Sequence, residues 1–187
     1  MVDLRLKAGE GVQKAMRVAV QMDPLENVNP AFDTSFAMME EAQARGAQLW
    51  TYGVGDLVYE AGEVYAYARS AEVFRSETGH CRQGEVQKLN LRTDVDVILM
   101  RQDPPFDMGY ITAAHLLSFV QPDTLVLNDP AWVQSSPEKV FPLLFADLQP
   151  PTLITRNMDA LSAFREKHSD IVIKPLYGHG GAGVDHH

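Results

Sequence analysis

Apolar segments that end in polar residues followed by proline recur along the chain, and this pattern constrains the fold most. The dipeptides that follow them are Asp23-Pro24, Asp103-Pro104 and Asp129-Pro130. Proline lacks the amide donor that a central strand needs, so we predict that each segment is a strand that ends there. The segment at 95–100, VDVILM, is apolar almost throughout. Such a run is typical of a strand buried on both faces of a parallel sheet.

The order of the first elements predicts a βαβ unit. A strand at 17–22 is followed by a predicted helix, capped by Thr34 and ended by Gly46, and then by a strand at 47–52. Two strands joined in this way lie parallel with a right-handed crossover. The alternating pattern around Ala61-Gly62 predicts a hairpin instead. We therefore expect an α/β protein, a Rossmann-like domain with a parallel sheet plus a small hairpin.

The residues that follow the strands are candidates for ligand binding, because ligands of open parallel sheets collect at the carboxyl ends of the strands. Arg101 and Asp103 are the first candidates for binding a substrate, since a cation there suits a carboxylate. Asp23 and Asn27, in the first loop, are further candidates. Two alternatives remain open: Asp-Pro simply ends the strands, and Arg101 pairs with Asp103 or Asp107 to hold its loop together.

The character of the sequence changes near Ser136. The segment Ser-Pro-Glu-Lys predicts an N-cap at Ser136 and a helix from 137 to about 145. A short strand at 152–154 and a helix capped by Asn157 are predicted to follow. We divide the chain into a flexible extension, a first domain and a second, incomplete domain, at 1–15, 16–136 and 137–187.

Composition excludes several classes of protein. The hydrophobic content of 45% and the charged content of 22% are those of a globular protein. No run reaches the roughly 18 apolar residues that a membrane span needs, and the first fifteen residues lack the apolar region of a secretory signal. The single cysteine, Cys81, fits a reducing cytoplasm. A net charge of −9 argues against nucleic acid as a partner, but a small anionic ligand needs only a few cations in one cleft.

Residues 178–183, here called the glycine loop, follow a predicted strand at 171–174 that ends in Lys174. The loop matches G-x-G-x-x-G formally, but no helix follows it, as a dinucleotide fingerprint requires. A Walker loop, with lysine followed by serine or threonine, is also absent from the sequence. The remaining interpretation is a lysine-bearing strand and a loop whose N–H groups close over phosphate. The alternative is a disordered glycine-rich tail.

Long segments in a fixed order resemble bacterial glutathione synthetase, a family of the ATP-grasp superfamily. The resemblance covers about 16 to 184. The segments that carry it are VAVQMDPLENVN, DTSFAMMEEAQARG, VDVILMRQDPPFD, LVLNDP, SPEKVF, PPTLITR and IVIKPLYGHGGAGV.

The resemblance implies a pre-ATP-grasp domain at 16–136, the first part of an ATP-grasp domain after it, and a reaction. Enzymes of this family use ATP to convert the carboxylate of γ-glutamylcysteine to an acyl phosphate, which the amine of glycine attacks. The resemblance implies that Lys139 and Lys174 bind the ATP phosphates. It also implies a loop that covers the nucleotide, formed by Gly178, Gly180, Gly181 and Gly183. Magnesium is expected as a cofactor, with ligands beyond these 187 residues, and neither a catalytic residue nor a metal ligand is assigned in this chain.

The end of the chain departs from the family pattern. Family members are longer, and the final Asp185-His186-His187 stands where an apolar residue and a continuing strand are expected. We expect a truncation, a frameshift or an expression artefact, with no ligase activity in this chain alone. Uncovered strand edges and apolar surface favour a homo-oligomer. The alternative function is a non-catalytic Rossmann-like domain for binding or oligomerisation.

Overall fold

The structure is a computed structural model that describes residues 14–178, 180, 181 and 183–186. Most of the predicted extension at 1–15 lies outside these residues. The helices and strands are β1 (Arg17–Gln21), α1 (Thr34–Ala44), β2 (Gln48–Tyr52), β3 (Leu57–Glu60), β4 (Glu63–Ser76), β5 (Gly79–Asn90), β6 (Val97–Met100), α2 (Met108–Ser118), β7 (Leu125–Leu127), α3 (Pro130–Ser135), α4 (Met158–His168), β8 (Val172–Ile173) and β9 (Asp185–His186). Short 3₁₀ helices occupy Leu25–Asn27, Val54–Asp56 and Phe141–Leu148.

One sheet of seven strands organises the first part of the chain. Its strand order is β3-β4-β2-β1-β6-β7, with β5 beside β4. Strand β1 is parallel to β2 and to β6, and β6 is parallel to β7. The predicted α/β fold class is therefore confirmed, including the parallel pairing of the βαβ unit.

Two apolar clusters cover the two faces of the parallel strands. Val18, Val20 and Leu99 face α1, where Phe36 and Met39 are fully buried. Ala19 and Ile98 belong to the other cluster, which also contains residues of α2. Alternate residues of β6 thus face opposite cores, which explains why its sequence is apolar almost throughout. No helix in the described part of the chain is long and apolar enough to cross a membrane.

The predicted hairpin is present, but the antiparallel part of the sheet is larger than expected. Strands β3 and β4 meet at Ala61 and Gly62, which have φ angles of 51° and 92°. Such left-handed pairs are typical of two-residue hairpin turns. Strand β4 then pairs along its length with β5, which was not predicted. Most β5 side chains are at least partly exposed, so no apolar alternation marks this strand in the sequence.

Several predicted boundaries are wrong. The cap of α1 is Asp33, whose carboxylate accepts a hydrogen bond from the Phe36 amide at 2.7 Å, so that Thr34 is the first helical residue instead. The predicted helix at 137–145 is absent: a turn at 138–140 and the 3₁₀ segment Phe141–Leu148 take its place, and Ser136 follows the end of α3 instead of capping a new helix. Pro142 lies inside the predicted helix, where its ring would clash with the preceding turn. The predicted strand at 152–154 has no strand partner among the described residues. The predicted Asn157 cap is confirmed, with Ala160 N–H donating at 2.9 Å.

Candidate functional site

Strands β1, β2, β6 and β7 end on the same side of the sheet because they run parallel, and we call this side the carboxyl edge. The loops after β1 and β6 are joined there. The Arg101 amide donates to the Gln21 carbonyl at 2.7 Å, and the Asp103 amide donates to the Asp23 carboxylate at 2.8 Å. Asp129, after β7, instead caps α3 by accepting a hydrogen bond from the Ala131 amide. Two of the proline-terminated segments therefore form one surface, and the third starts a helix.

Arg101 lies on the N-terminal turn of α1. Its Nε donates to Ser35 Oγ at 3.0 Å, and its Nη2 donates to Thr34 Oγ1 at 2.6 Å. It forms no ion pair with any carboxylate that the structure describes. The alternative in which Asp103 or Asp107 neutralises Arg101 is therefore not what the structure has. Two neutral hydroxyls hold the guanidinium in place, leaving its charge uncompensated and its Nη1 donors available.

Tyr110 is the residue that sequence reasoning missed at this edge. It is half-buried in the first turn of α2, and its ring lies 5.2 Å from the ring of Phe106, centroid to centroid. Burial raises the pKa of the Tyr110 hydroxyl, while the nearby Arg101 lowers it and Asp103 raises it. The ring contact with Phe106 places Tyr110 beside the loop that bears Arg101 and Asp103. In the sequence, Tyr110 could have been identified by its position in the first turn of the helix that follows the 101–107 loop.

Lys139 contacts the glycine loop. Its Nζ donates a hydrogen bond to the Gly178 carbonyl at 2.5 Å, and Glu138 is its nearest carboxylate at 3.9 Å. A small cavity of about 40 Å³ adjoins this contact. The cavity is lined by the loop after β6, by the segment around Lys139 and by the start of the glycine loop: Pro104, Phe106, Pro137, Glu138, Lys139, Val140, Leu176, Tyr177 and Gly178.

The backbone of the glycine loop is left-handed at Gly180, Gly181 and Gly183, with φ angles of 57°, 78° and 68°. A side chain would be strained at these angles. At Gly183 an added Cβ would also lie 2.9 Å from Pro175 Cγ. Backbone N–H groups in such conformations form concave anion-binding sites. His179 and Ala182 lie outside the described residues.

The two predicted phosphate-binding lysines are placed differently. Lys139 is largely buried against the glycine loop, whereas Lys174 is exposed just after β8. Strand β8 pairs with β9 in a small antiparallel sheet that the sequence did not predict. This pairing holds the segments before and after the glycine loop together, so that Lys174 and Val184 lie at its base.

Comparison with known families accounts for both parts of this arrangement. Residues 16–134 match the family model of the N-terminal domain of prokaryotic glutathione synthetase. Residues 138–187 match the model of the ATP-grasp domain of the same enzymes. The chain belongs to the prokaryotic glutathione synthetase family.

Curated glutathione synthetases show the same relationship. The chain is 49% identical to the protein of Mesorhizobium japonicum over 171 residues, 91% of this chain and 54% of the relative. It is 50% identical to that of Brucella melitensis over 92% of this chain and 55% of the relative. It is 45% identical to that of Escherichia coli K12 over 90% and 54%, respectively. The chain thus spans about half the length of the curated relatives it matches.

The prokaryotic glutathione synthetase family carries an ATP-grasp domain, and such enzymes in general use ATP together with Mg²⁺. Cationic Lys139 and the left-handed glycines suit phosphate oxygens. For the metal the result differs: within 14–178 and the described positions after it, no group of three or more His, Cys, Asp or Glu side chains could hold an ion. These residues by themselves do not form a magnesium site.

Proposed function

We propose that this chain forms the substrate domain and the first nucleotide-binding segments of an ATP-dependent ligase that joins γ-glutamylcysteine to glycine. The Lys139–Gly178 contact carries the proposal, because it lies in one cavity with Pro104 and Phe106 of the loop after β6. Elements suited to phosphate are thereby next to the loop that bears Arg101. A ligase that phosphorylates a carboxylate needs these two sites in contact. The division into 16–136 and 137–187 belongs to the same proposal.

The nucleotide side of the site uses charge and backbone donors. The Lys139 ammonium carries three N–H donors, of which one is used by the Gly178 carbonyl, so two remain for phosphate oxygens. Exposed Lys174 supplies a second cation, and Gly180, Gly181 and Gly183 supply N–H groups. The Gly178 N–H donates to the Pro175 carbonyl at 3.3 Å in this structure and would exchange that bond for a phosphate oxygen. ATP, when bound, supplies the phosphoryl group that turns the dipeptide carboxylate into an acyl phosphate, open to attack by the glycine amine.

The substrate side of the site uses the carboxyl edge. Arg101 is oriented by Thr34 and Ser35 before any ligand arrives, which reduces the entropic cost of binding a carboxylate. Asp103 and Asp23 are joined through a backbone hydrogen bond, and their remaining carboxylate oxygens suit an ammonium group. Exposed Asn27 completes the group of proposed substrate contacts.

The proposal also includes the source of the magnesium ligands, the cellular location and the oligomeric state. The magnesium ligands come from elsewhere in the enzyme. The protein is cytoplasmic, consistent with its single cysteine. It is also a homo-oligomer, which is supported by exposed apolar side chains in the 3₁₀ segment Phe141–Leu148, where Leu144 is 74% and Leu148 is 84% exposed.

Calorimetric titration with ATP tests the nucleotide site. Lys139→Ala and Lys174→Ala should each weaken ATP binding by about tenfold or more, because a cation is lost from beside the phosphates. Lys88→Ala is the matched control, since Lys88 pairs with Glu60 on the hairpin, away from the glycine loop. Unchanged ATP affinity in the Lys174 variant would remove that residue from the site. Undetectable binding to the unaltered chain would overturn the nucleotide part of the proposal.

A further inference from the structure

An open groove of about 270 Å³ lies at the carboxyl ends of β1 and β2, apart from the small cavity beside Lys139. Thr51, Arg69 and Val86 are aligned across β2, β4 and β5, so their side chains share one face of the sheet. Leu49, two residues before Thr51, packs into the apolar cluster beneath α1 on that face. The groove is therefore the part of this face that α1 leaves uncovered. Its wall is formed by the loop after β1 and by the turn after β2.

Arg69 is the cation that lines the groove. Its Nη1 donates to the Gly84 carbonyl at 3.1 Å, and it forms no ion pair with a described carboxylate. Its Nε and Nη2 donors are therefore available to a ligand. Two other exposed arginines of β4 and β5 differ in this respect, because Arg75 pairs with Glu40 at 2.6 Å and Arg82 pairs with Glu72 at 3.2 Å.

Three carboxylates line the groove as well. Asp56 accepts a hydrogen bond from the Gly53 amide at 2.8 Å, and Asp23 accepts one from the Asp103 amide. These backbone contacts fix the two carboxylates without neutralising them. Glu26 has no hydrogen-bond partner among the described residues. The groove thus combines one unpaired guanidinium with three unpaired carboxylates, an excess of negative charge that favours a ligand with an ammonium group.

From this arrangement we propose that the groove binds an α-amino-acid head group, with its carboxylate on Arg69 and its ammonium on the carboxylates of Asp23, Glu26 and Asp56. A ligand carrying both charges compensates both sides, whereas a simple anion would be repelled by the carboxylates. The groove is open and, at about 270 Å³, has room for an amino acid or the end of a small peptide.

This inference rests on the proposed function, which identifies the molecules that carry such a head group. The γ-glutamyl end of γ-glutamylcysteine, the same end of glutathione, and free glycine all carry an α-ammonium and an α-carboxylate. Asp23 lines the groove and also holds the Asp103 amide, so the groove is continuous with the loop that bears Arg101. A head group bound in the groove therefore leaves the rest of a peptide free to extend towards that loop.

Calorimetry on the 187-residue chain with γ-glutamylcysteine, glutathione and glycine as separate probes tests this site. We expect the two peptides to bind with similar affinity, since they share the head group. Arg69→Gln should weaken this binding by about tenfold or more, and Arg69→Lys should restore part of it. Glutarylcysteine, which lacks only the α-ammonium, should bind more weakly by a comparable factor. Arg82→Gln is the control variant, and melting temperatures confirm that each variant is folded.

The binding results for the three probes either support or exclude a head-group site at Arg69. Affinity for glycine alone that is lost in Arg69→Gln would support the site with glycine as its occupant. The site is excluded by a lack of binding of all three probes up to about 10 mM, or by binding that Arg69→Gln leaves unchanged. Binding lost in Arg101→Gln but not in Arg69→Gln would move the head group to the loop after β6 and leave the proposed function intact. If the unaltered chain does not bind ATP but binds the peptides in a manner that Arg69→Gln abolishes, the nucleotide part of the proposed function is overturned and the groove proposal stands.

Discussion

Arg17 and Asp96 join the beginnings of β1 and β6, opposite the carboxyl edge. The Asp96 carboxylate accepts hydrogen bonds from the Arg17 backbone amide at 2.8 Å, from Nε at 3.1 Å and from Nη2 at 2.7 Å. The hydrogen bond from the Arg17 side chain is the main reason why the pKa of Asp96 is lowered from its ordinary value. This pair holds the first parallel strands in register at the end of the sheet where no ligand is proposed to bind.

The Asp96 pair predicts a dependence of stability on pH. Because the folded pKa of Asp96 lies below its unfolded value, its contribution is present above about pH 4 and is lost as the pH falls through the folded pKa. Asp96→Asn should lower the free energy of unfolding by about 1 kcal/mol at pH 7, a modest value because the pair is partly exposed. Urea titrations at pH 7 and pH 3 measure the difference. An equal deficit at both pH values would contradict the assignment.

Among the secondary-structure elements, helix α1 orients the side chain of Arg101 at the carboxyl edge. Its N-terminal turn is fixed by Asp33 and presents Thr34 and Ser35 to Arg101. The existence of this helix was predictable from its apolar positions, which Phe36 and Met39 occupy in the core. Its cap was not, because Asp33 and Thr34 are both good caps and only the three-dimensional path of the chain selects one. Strand β5 was missed because pairing with β4 holds it, while most of its side chains are exposed.

Removing the α1 cap tests this account of the helix. Asp33→Ala should destabilise the protein by about 1 kcal/mol, since the Phe36 amide would lose its acceptor. Asp33→Asn keeps an oxygen acceptor at the same place and should cost less. Chemical denaturation followed by circular dichroism measures both variants. If Asp33→Ala is as stable as the unaltered protein, this carboxylate does not stabilise the helix.

The whole molecule combines a sheet with well-covered central strands and a second part with much exposed apolar surface. Central strands such as β1 are buried on both faces, whereas α4 contains no buried residue. The second part therefore derives less stability from its own packing than the first. Its contact with the first part includes the cavity where Phe106 meets Lys139 and Gly178.

The 187 residues by themselves are predicted to have no ligase activity. Because it spans about half the length of its relatives, and its described residues form no magnesium site, bound ATP would lack the metal contacts that hold its phosphates. We expect no glutathione and no phosphate above background from ATP, magnesium, γ-glutamylcysteine and glycine. The E. coli K12 glutathione synthetase, assayed in parallel, provides the positive control. Glutathione formed by the 187 residues alone would refute this prediction.

The sequence by itself determined the parallel strands and the set of polar residues at their carboxyl ends, because apolar runs and Asp-Pro breaks are local signals. It also determined the family, whose motifs are long and ordered. Only the tertiary structure decided the partners of those residues. Arg101 contacts hydroxyls of α1 and Asp23 contacts the Asp103 amide, across separations of 66 to 80 residues. The groove beside Arg69 likewise depends on tertiary structure, because it lies on the part of the sheet face that α1 leaves uncovered. Such contacts depend on how strands and helices pack, and local sequence does not encode that packing.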